Sequence, residues 1–426
     1  MAAATKAQRQ RTSRVRQQAQ ALLRDPLFLH RAMNKIGELG IIGEERNRTI
    51  LFLAGLTKDQ GQPVSVLVKG QSSSGKSNLV RTVVQMFPPE CVLSRASLSS
   101  KAPLFGEQSF EGKLLYMFEY RGLKDAQFLI RLQQSEGIIS HEFTTVAGHH
   151  RGTQVATRRG VPVVFTTTTT GRVFEDDETR YLSISIDESP DQTLEIAEAA
   201  ISKPGRPSEP PLAVWHEAVR LLGAQKVQVS FPDWFRFIVS KLPISQVRVR
   251  RDWGRFLAFC KIIASCRRWT PSRKPAREIA IEFPDYCVAY RIFAAPFAAT
   301  VYQVHERELS IVAAVRKLYA RCKRAVTHRE IAAHLRWRES LVYKYIPKAV
   351  KHGLVKYEAG TSQTNLKRLL PVPGPPKIFL PSPEWVFEEN PHIGKTASYI
   401  DPITGQKKTF TRANSPQTNR YSQRVP

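Results

Sequence analysis

Residues 70–77, Gly70-Gln71-Ser72-Ser73-Ser74-Gly75-Lys76-Ser77, fit the pattern G-x-x-x-x-G-K-[ST] without a mismatch. That spacing serves one kind of chemistry, the holding of phosphate. The glycines let backbone N–H groups curl around β- and γ-phosphate oxygens, Lys76 brings a cation to the same oxygens, and Ser77 offers a hydroxyl to Mg²⁺. Asn78 opens the helical run that follows and completes the cradle. A cradle of this kind needs a carboxylate on a neighbouring strand to hold the Mg²⁺ shell and polarise the attacking water. The apolar run 114–118 ends in Glu119, which is therefore the expected catalytic carboxylate and, with Ser77, the expected metal partner. Phe118 stands where a second acid is common, and Asp125 and Glu111 are the alternative metal carboxylates. The run Val163-Val164-Phe165 leads into threonines 166–170. One of the first three, with Thr167 taken for the site, can align the lytic water or sense the γ-phosphate, although threonines are also ordinary strand residues. In Asp176-Asp177-Glu178-Thr179-Arg180-Tyr181, a single arginine follows an acidic cluster. Transition-state charge on a phosphoryl group is often met by an arginine from a neighbouring subunit. Arg180 is the candidate, against a local ion pair to Asp176 or Asp177.

The elements that must position these groups are legible as a strand (64–68), the glycine loop, a helix (78–87) closed by Pro88-Pro89, and further strands at 114–118, 161–168 and 181–186, with a helix at 126–133. Alternation of this kind indicates an α/β fold with a largely parallel sheet. Ahead of it, Asp25-Pro26 reads as an N-cap with proline in the first turn, and a second helix runs 44–56. Residues 1–60 are thus a basic arm and helical lead-in; the acid-free stretch from Lys6 to Arg24, rich in Gln and Ala, reads as a loose basic arm in preference to a helix or an organelle-targeting peptide. Residues 61–200 are the P-loop core, 201–305 a helical region after the Pro-rich linker 203–211, 306–372 an α+β unit, and 373–426 a Pro-rich, partly disordered basic tail holding at most a small hairpin.

These residues resemble AAA+ ATPases of the superfamily 3 and minichromosome-maintenance type, helicase-like proteins of phages, plasmids and integrated elements. The carrying features are Asp25-Pro26 to Gly43-Glu44-Glu45, residues 66–77, Glu119, and Thr179-Arg180-Tyr181-Leu182 running to Asp187-Glu188-Ser189. The resemblance implies ATP and Mg²⁺ as cofactors, a hexameric ring of identical subunits, and Arg180 as a finger across the subunit interface. It also implies a helical lid in which Arg250 or Arg251 senses the γ-phosphate. A hairpin before the third strand is implied too, with arms 138–143 and 153–156 and a tip near His149, His150 and Arg151 that suits phosphate contact in a channel.

Residues 326–335 read as a short helix with a capping box, Thr327 and Glu330. A second helix, 341–350, and a strand pair follow, and the unit resembles a winged helix. Arg338, Lys344, Lys348 and Lys351 lie on or beside the second helix, with Lys356, Lys367 and Arg368 on the wing, all placed for DNA phosphate. The chain of 426 residues carries 64 Lys+Arg against 37 Asp+Glu, a formal charge of +27, which points to a polyanionic partner, nucleic acid before membrane. No apolar run reaches the roughly 18 residues of a membrane span. Five scattered cysteines, none in a C-x-x-C pair, exclude a disulfide framework or zinc ribbon and fit a reducing cytoplasm. The expected function is an ATP-dependent DNA helicase or translocase of a mobile element or phage, with a separate primase or initiator as a further partner. Two alternatives stay open, an origin initiator or loader without processive unwinding and a nucleotide-switched DNA-binding regulator. A small-molecule kinase explains neither the charge nor the basic end.

Overall fold

The computed structural model describes residues 2–105, 109–147, 150–169, 175–202, 207–224, 228–269, 278–302, 304, 306–359, 367–372 and 380–412. The chain opens with three helices, α1 (Ala2–Arg24), α2 (Phe28–Glu38) and α3 (Glu45–Leu56). The first replaces the expected loose arm. Ala19, Leu22 and Leu23 recur at helical spacing and are buried, while Arg14, Arg16 and Arg24 stay exposed, so one apolar stripe is enough to seat an otherwise basic segment. α3 is buried from Asn47 to Leu56, and its Phe52 packs against Phe28, Phe87 and Trp215.

Strands and helices then alternate. In order they are β1 (Val66–Lys69), α4 (Lys76–Val84), β2 (Val92–Arg95), α5 (Ala102–Phe105), β3 (Leu114–Met117), α6 (Gln127–Glu136), β4 (Ile138–Ala147), β5 (His150–Arg159), β6 (Val163–Thr168), α7 (Glu175–Glu178), β7 (Leu182–Ser185) and α8 (Pro190–Ile201). Five of the strands form a parallel sheet in the order β2-β3-β6-β1-β7. Both faces are covered, which is why its strands read as near-continuous apolar runs. Val66, Val68, Val163 and Phe165 join one core, and Leu67, Leu115, Met117 and Val164 the other. Because β6 lies between β1 and β3, the threonine end of β6 falls between the loop after β1 and Glu119 after β3. β4 and β5 form a separate antiparallel hairpin whose arms are ten residues each, longer than expected. Gln133 fastens its base, donating to the carbonyls of Gly160 and Arg158.

The helical region follows as α9 (Leu212–Gly223), β8 (Gln228–Ser230), α10 (Phe235–Ser240), α11 (Val249–Arg267), β9 (Glu278–Ala280) and α12 (Phe283–Val301). It is not set apart as a lid. Phe256, Phe259, Phe293 and Phe297 belong to the same continuous core as α3, β1 and β6, with the Phe259 and Phe293 rings stacked at 3.6 Å. A self-contained unit comes next, α13 (Glu306–Cys322), β10 (Val326–Thr327), α14 (His328–Leu335), α15 (Glu339–Lys351), β11 (Val355–Tyr357) and β12 (Arg368–Pro371). It has its own core around Ile311, Val315, Ile331, Ile346 and Leu369, a sheet of order β10-β12-β11, and reciprocal Thr327 and Glu330 caps on α14.

The chain then returns to the main core. α16 (Pro383–Glu389), β13 (Thr396–Ile400) and β14 (Lys407–Thr411) bury Val386, Phe387 and Tyr399 there. Tyr286 of α12 donates to the Pro381 carbonyl at 2.6 Å, and the fully buried Asp401 holds Arg291 and Lys408, each at 3.0 Å. Residues 380–412 of the expected tail are thus folded; residues 373–379 and 413–426 lie outside the described residues. Among the described residues no helix is long and apolar enough to cross a membrane, and none of the five cysteines is in a disulfide.

Candidate nucleotide-binding site

The loop between β1 and α4 is wound by two residues in the left-handed region, Ser73 (φ 62°) and Gly75 (φ 87°). Only a residue without Cβ adopts that conformation without strain. At Gly70 the requirement is space, because a Cβ there would lie 2.7 Å from Ile186 Cγ2 and 2.8 Å from Ser74 Oγ. The loop N–H groups can therefore face a common centre, and the first turn of α4 adds its own unbonded amides. Lys76, 6% exposed, donates to the Gln71 carbonyl and, at 3.4 Å, to Ser74 Oγ. Burial pulls its pKa below the ordinary lysine value, while Glu188 and Glu119 oppose that shift.

A cavity of about 110 Å³ collects Ser72, Ser73, Lys76, Ser77, Glu119 and Thr167, together with Tyr120, Arg121, Thr168 and Thr169. The fold thus brings the loop, the strand-end carboxylate and the threonines into one place. Thr167 uses its hydroxyl on protein, donating to the Phe118 carbonyl at 2.8 Å, so it positions the turn that carries Glu119. Phe118, where an acid was looked for, turns its ring onto Tyr116 at 5.1 Å and is 43% exposed. Asp125 and Glu111 are not among the residues lining this cavity. Glu188 is the group that sequence reasoning did not assign. Its carboxylate accepts the Gln71 N–H at 2.5 Å, occupying a donor of the kind that a phosphate oxygen would take. Arg121 was missed as well, and its only signal is its place two residues after Glu119.

Arg180, Arg250 and Arg251 do not line the cavity. Arg180 donates to Ser135 Oγ on α6; of its two alternative local partners, Asp177 holds Tyr120 at 2.7 Å and Arg131 at 3.3 Å, and the side chain of Asp176 lies outside the described residues. Arg251 donates to Thr179 Oγ1, and Arg250 is exposed on α11. The neighbouring arginines explain this placement. Arg248 donates to the Glu178 carbonyl at 3.2 Å, and Arg255 donates to the carbonyls of Thr179 (2.7 Å) and Tyr181 (3.3 Å). The N-terminal half of α11 is thereby bolted to the segment bearing Arg180, with the 0% exposed Asp252 between Arg248 (3.1 Å) and Arg255 (2.6 Å). Burial pushes Arg255 down to about 10.

Of the expected DNA-contacting residues, His149 lies outside the described residues, as do the side chains of His150 and Arg151. Arg158 at the hairpin base is committed to structure, with its guanidinium 3.5 Å over the Phe110 ring and a 3.1 Å bond to the Pro103 carbonyl. Lys344, Lys348 and Lys351 recur at i, i+4, i+7 and form an exposed basic row on α15. Arg338 sits beside that row, 3.5 Å from Asp191 of α8. Among the described residues no cluster of three or more His, Cys, Asp or Glu could hold a metal ion by itself.

A family model described as the MTBMA_p00010 P-loop domain matches residues 40–206, the stretch that contains the parallel sheet and the cradle. This region fits a P-loop nucleoside triphosphatase. None of the curated proteins compared matches the chain.

The carboxylate in the loop carries a prediction. A nucleotide phosphate must displace Glu188 from the Gln71 N–H and then sit near its negative charge. Glu188→Gln keeps an acceptor of the same shape without that charge. Nucleotide affinity in a fluorescent-analogue titration is expected to rise roughly tenfold, about 1.4 kcal/mol. Unchanged or weaker binding would show that the carboxylate does not compete with phosphate.

Proposed function

We propose that the protein is an ATP-dependent DNA motor, a helicase or translocase that works as a ring of identical subunits. The observation that carries the hydrolytic half is the single cavity joining Lys76, Ser77, Glu119 and the end of β6. Binding alone needs the loop, whereas hydrolysis needs a carboxylate within reach of the γ-phosphate. Lys76 leaves the Gln71 carbonyl for the phosphate oxygens, and Glu119 orients and deprotonates the attacking water. The Ser77 hydroxyl and the Glu119 carboxylate are hard oxygen donors of the sort Mg²⁺ takes, directly or through its waters. When bound, that ion neutralises charge on the β- and γ-phosphates. Arg180 does not line its own chain's cavity, which supports reading it as a finger toward the γ-phosphate of a neighbouring chain. Arg250 and Arg251 are read here as braces and surface charge of α11 in place of sensors.

The DNA half rests on the +27 charge, the long β4–β5 hairpin and the basic row on α15, which we read as the recognition helix of a winged helix. Neutralising phosphates makes such binding fall steeply with salt, by a log–log slope of about −0.9 per contact on duplex DNA. Two readings compete with unwinding. An initiator or loader has the same ATPase parts, and a nucleotide switch with slow turnover is favoured by Phe118 beside Glu119 and by Glu188 bonded to the Gln71 N–H.

A forked-duplex assay separates them. The motor reading expects DNA-stimulated, Mg²⁺-dependent hydrolysis and strand displacement in the wild type. Arg180→Ala is expected to bind nucleotide normally and lose the stimulated rate. Hydrolysis without displacement favours the loader, and saturable binding with negligible turnover favours the switch.

A further inference from the structure

Helix α8 is deliberately built yet barely packed. Ser189 caps it, accepting the Gln192 N–H at 3.2 Å, Pro190 occupies its first turn, and Gln192 donates to the Ile42 carbonyl at 2.7 Å. Gln192 is its sole buried residue. The rest projects with Leu194, Ile196 and Ile201 54%, 49% and 88% exposed, interleaved with Glu195 and Glu198. Among the described residues this helix is held at its first turn and is apolar or acidic along its remaining length, so it lacks the tertiary packing that stabilises most helices in proteins.

A second exposed apolar stretch runs from the end of α10 into α11. Val239, Ile244 and Val247 are 47%, 86% and 73% exposed, and the exposed charges beside them, Lys241 and Arg250, are basic. Together the two stretches hold half of the large apolar side chains that stand conspicuously exposed among the described residues. Such clustering marks interaction surface, since exposed apolar residues otherwise scatter singly.

We propose that these stretches are the two halves of one contact between copies of this chain, α8 of one copy seated on residues 239–250 of the next. The charges select this pairing. α8 against α8 would set Glu195 and Glu198 against their own copies, and the second stretch against itself would do the same with Lys241 and Arg250. Leu194 and Ile201, seven residues apart, share one side of α8 with Glu198 between them, and pairing the two patches brings that apolar side to Val239, Ile244 and Val247 and matches acid to base. DNA is a poor occupant for α8, whose residues 190–201 include no Lys or Arg. Because the halves differ, the contact is head-to-tail, and repeating it closes a ring or runs on as a filament. The inference rests on the ring reading above and assigns its faces.

Light scattering on the full-length protein with Mg²⁺ and ATP tests it. One variant carries Leu194→Glu and Ile201→Glu, the other Ile244→Glu and Val247→Glu. Wild type is expected to assemble and each variant to remain monomeric. An equimolar mixture of the two is expected to stop at dimers, because each chain keeps one good half and only one pairing can form. That dimer also shows that both variants are folded. Variants that assemble like the wild type, which would leave the patches to a different protein, overturn the face assignment alone, as does a mixture that stays monomeric. A wild type that is monomeric under every nucleotide condition overturns the ring reading itself.

Discussion

Lys76→Ala is expected to lower nucleotide hydrolysis by on the order of 10²–10³, the range found when one preorganised donor to a developing negative charge is removed. The surroundings of Lys76 argue for the upper part of that range. Glu119 and Glu188 both raise its pKa against the effect of burial, so the ammonium is the cation that makes a site with two carboxylates hospitable to phosphate. Without it, a polyanion must enter beside two negative charges with the backbone N–H groups and Arg121 at the cavity wall in its favour. Binding is therefore expected to weaken together with turnover. Phosphate release and a nucleotide titration on the same preparation measure both effects. A rate equal to the wild type would remove hydrolysis at this loop from the account of the protein.

The second large effect is structural. Asp252→Ala is expected to cost about 3–5 kcal/mol, the range for breaking a buried ion pair from one side. Asp252 is 0% exposed and accepts from Arg248 and Arg255, both largely buried. Removing it leaves two guanidinium groups close together and partly desolvated. Asp252→Asn keeps the shape and one acceptor and is expected to lose less. Calorimetric scans should show the ordering wild type, Asn, Ala in falling transition temperature. Equal midpoints for wild type and Asp252→Ala would mean that Arg248 and Arg255 are held by the carbonyls of residues 178–181 alone. The same substitution is expected to loosen the segment that carries Arg180, so DNA-stimulated turnover should fall further than nucleotide affinity.

What could be read without coordinates was local. The cradle announces itself because a tight phosphate loop needs glycine at fixed offsets, and Thr327 with Glu330 announces a helix start for the same reason of short range. Glu188 could not be found that way. It meets Gln71 only because β7 pairs with β1 in a register that sets Ser185 against Lys69, bringing together residues 117 apart in sequence. Arg251 illustrates the converse. A resemblance placed it on phosphate, whereas the packing of α11 onto residues 178–181 gives its guanidinium to Thr179. Composition favoured a loose arm over a helix in α1, and the apolar stripe of Ala19, Leu22 and Leu23 decides for the helix. It misled again at the C-terminal end, where prolines suggested irregular chain and Phe387 and Tyr399 enter the main core.

The return of residues 380–412 to α12 has a mechanical meaning. The unit formed by α13, α14 and α15 is an insertion in the main body, entered from α12 and left toward α16, with chain anchored in the same core on both sides. A terminal domain on one tether can swing freely and be pulled away from its neighbour. A unit held at both ends has its movement bounded on two sides, and a displacement of α15 bears on α12 from both. The basic row is thus tied through the chain on both sides to the core that carries the cradle.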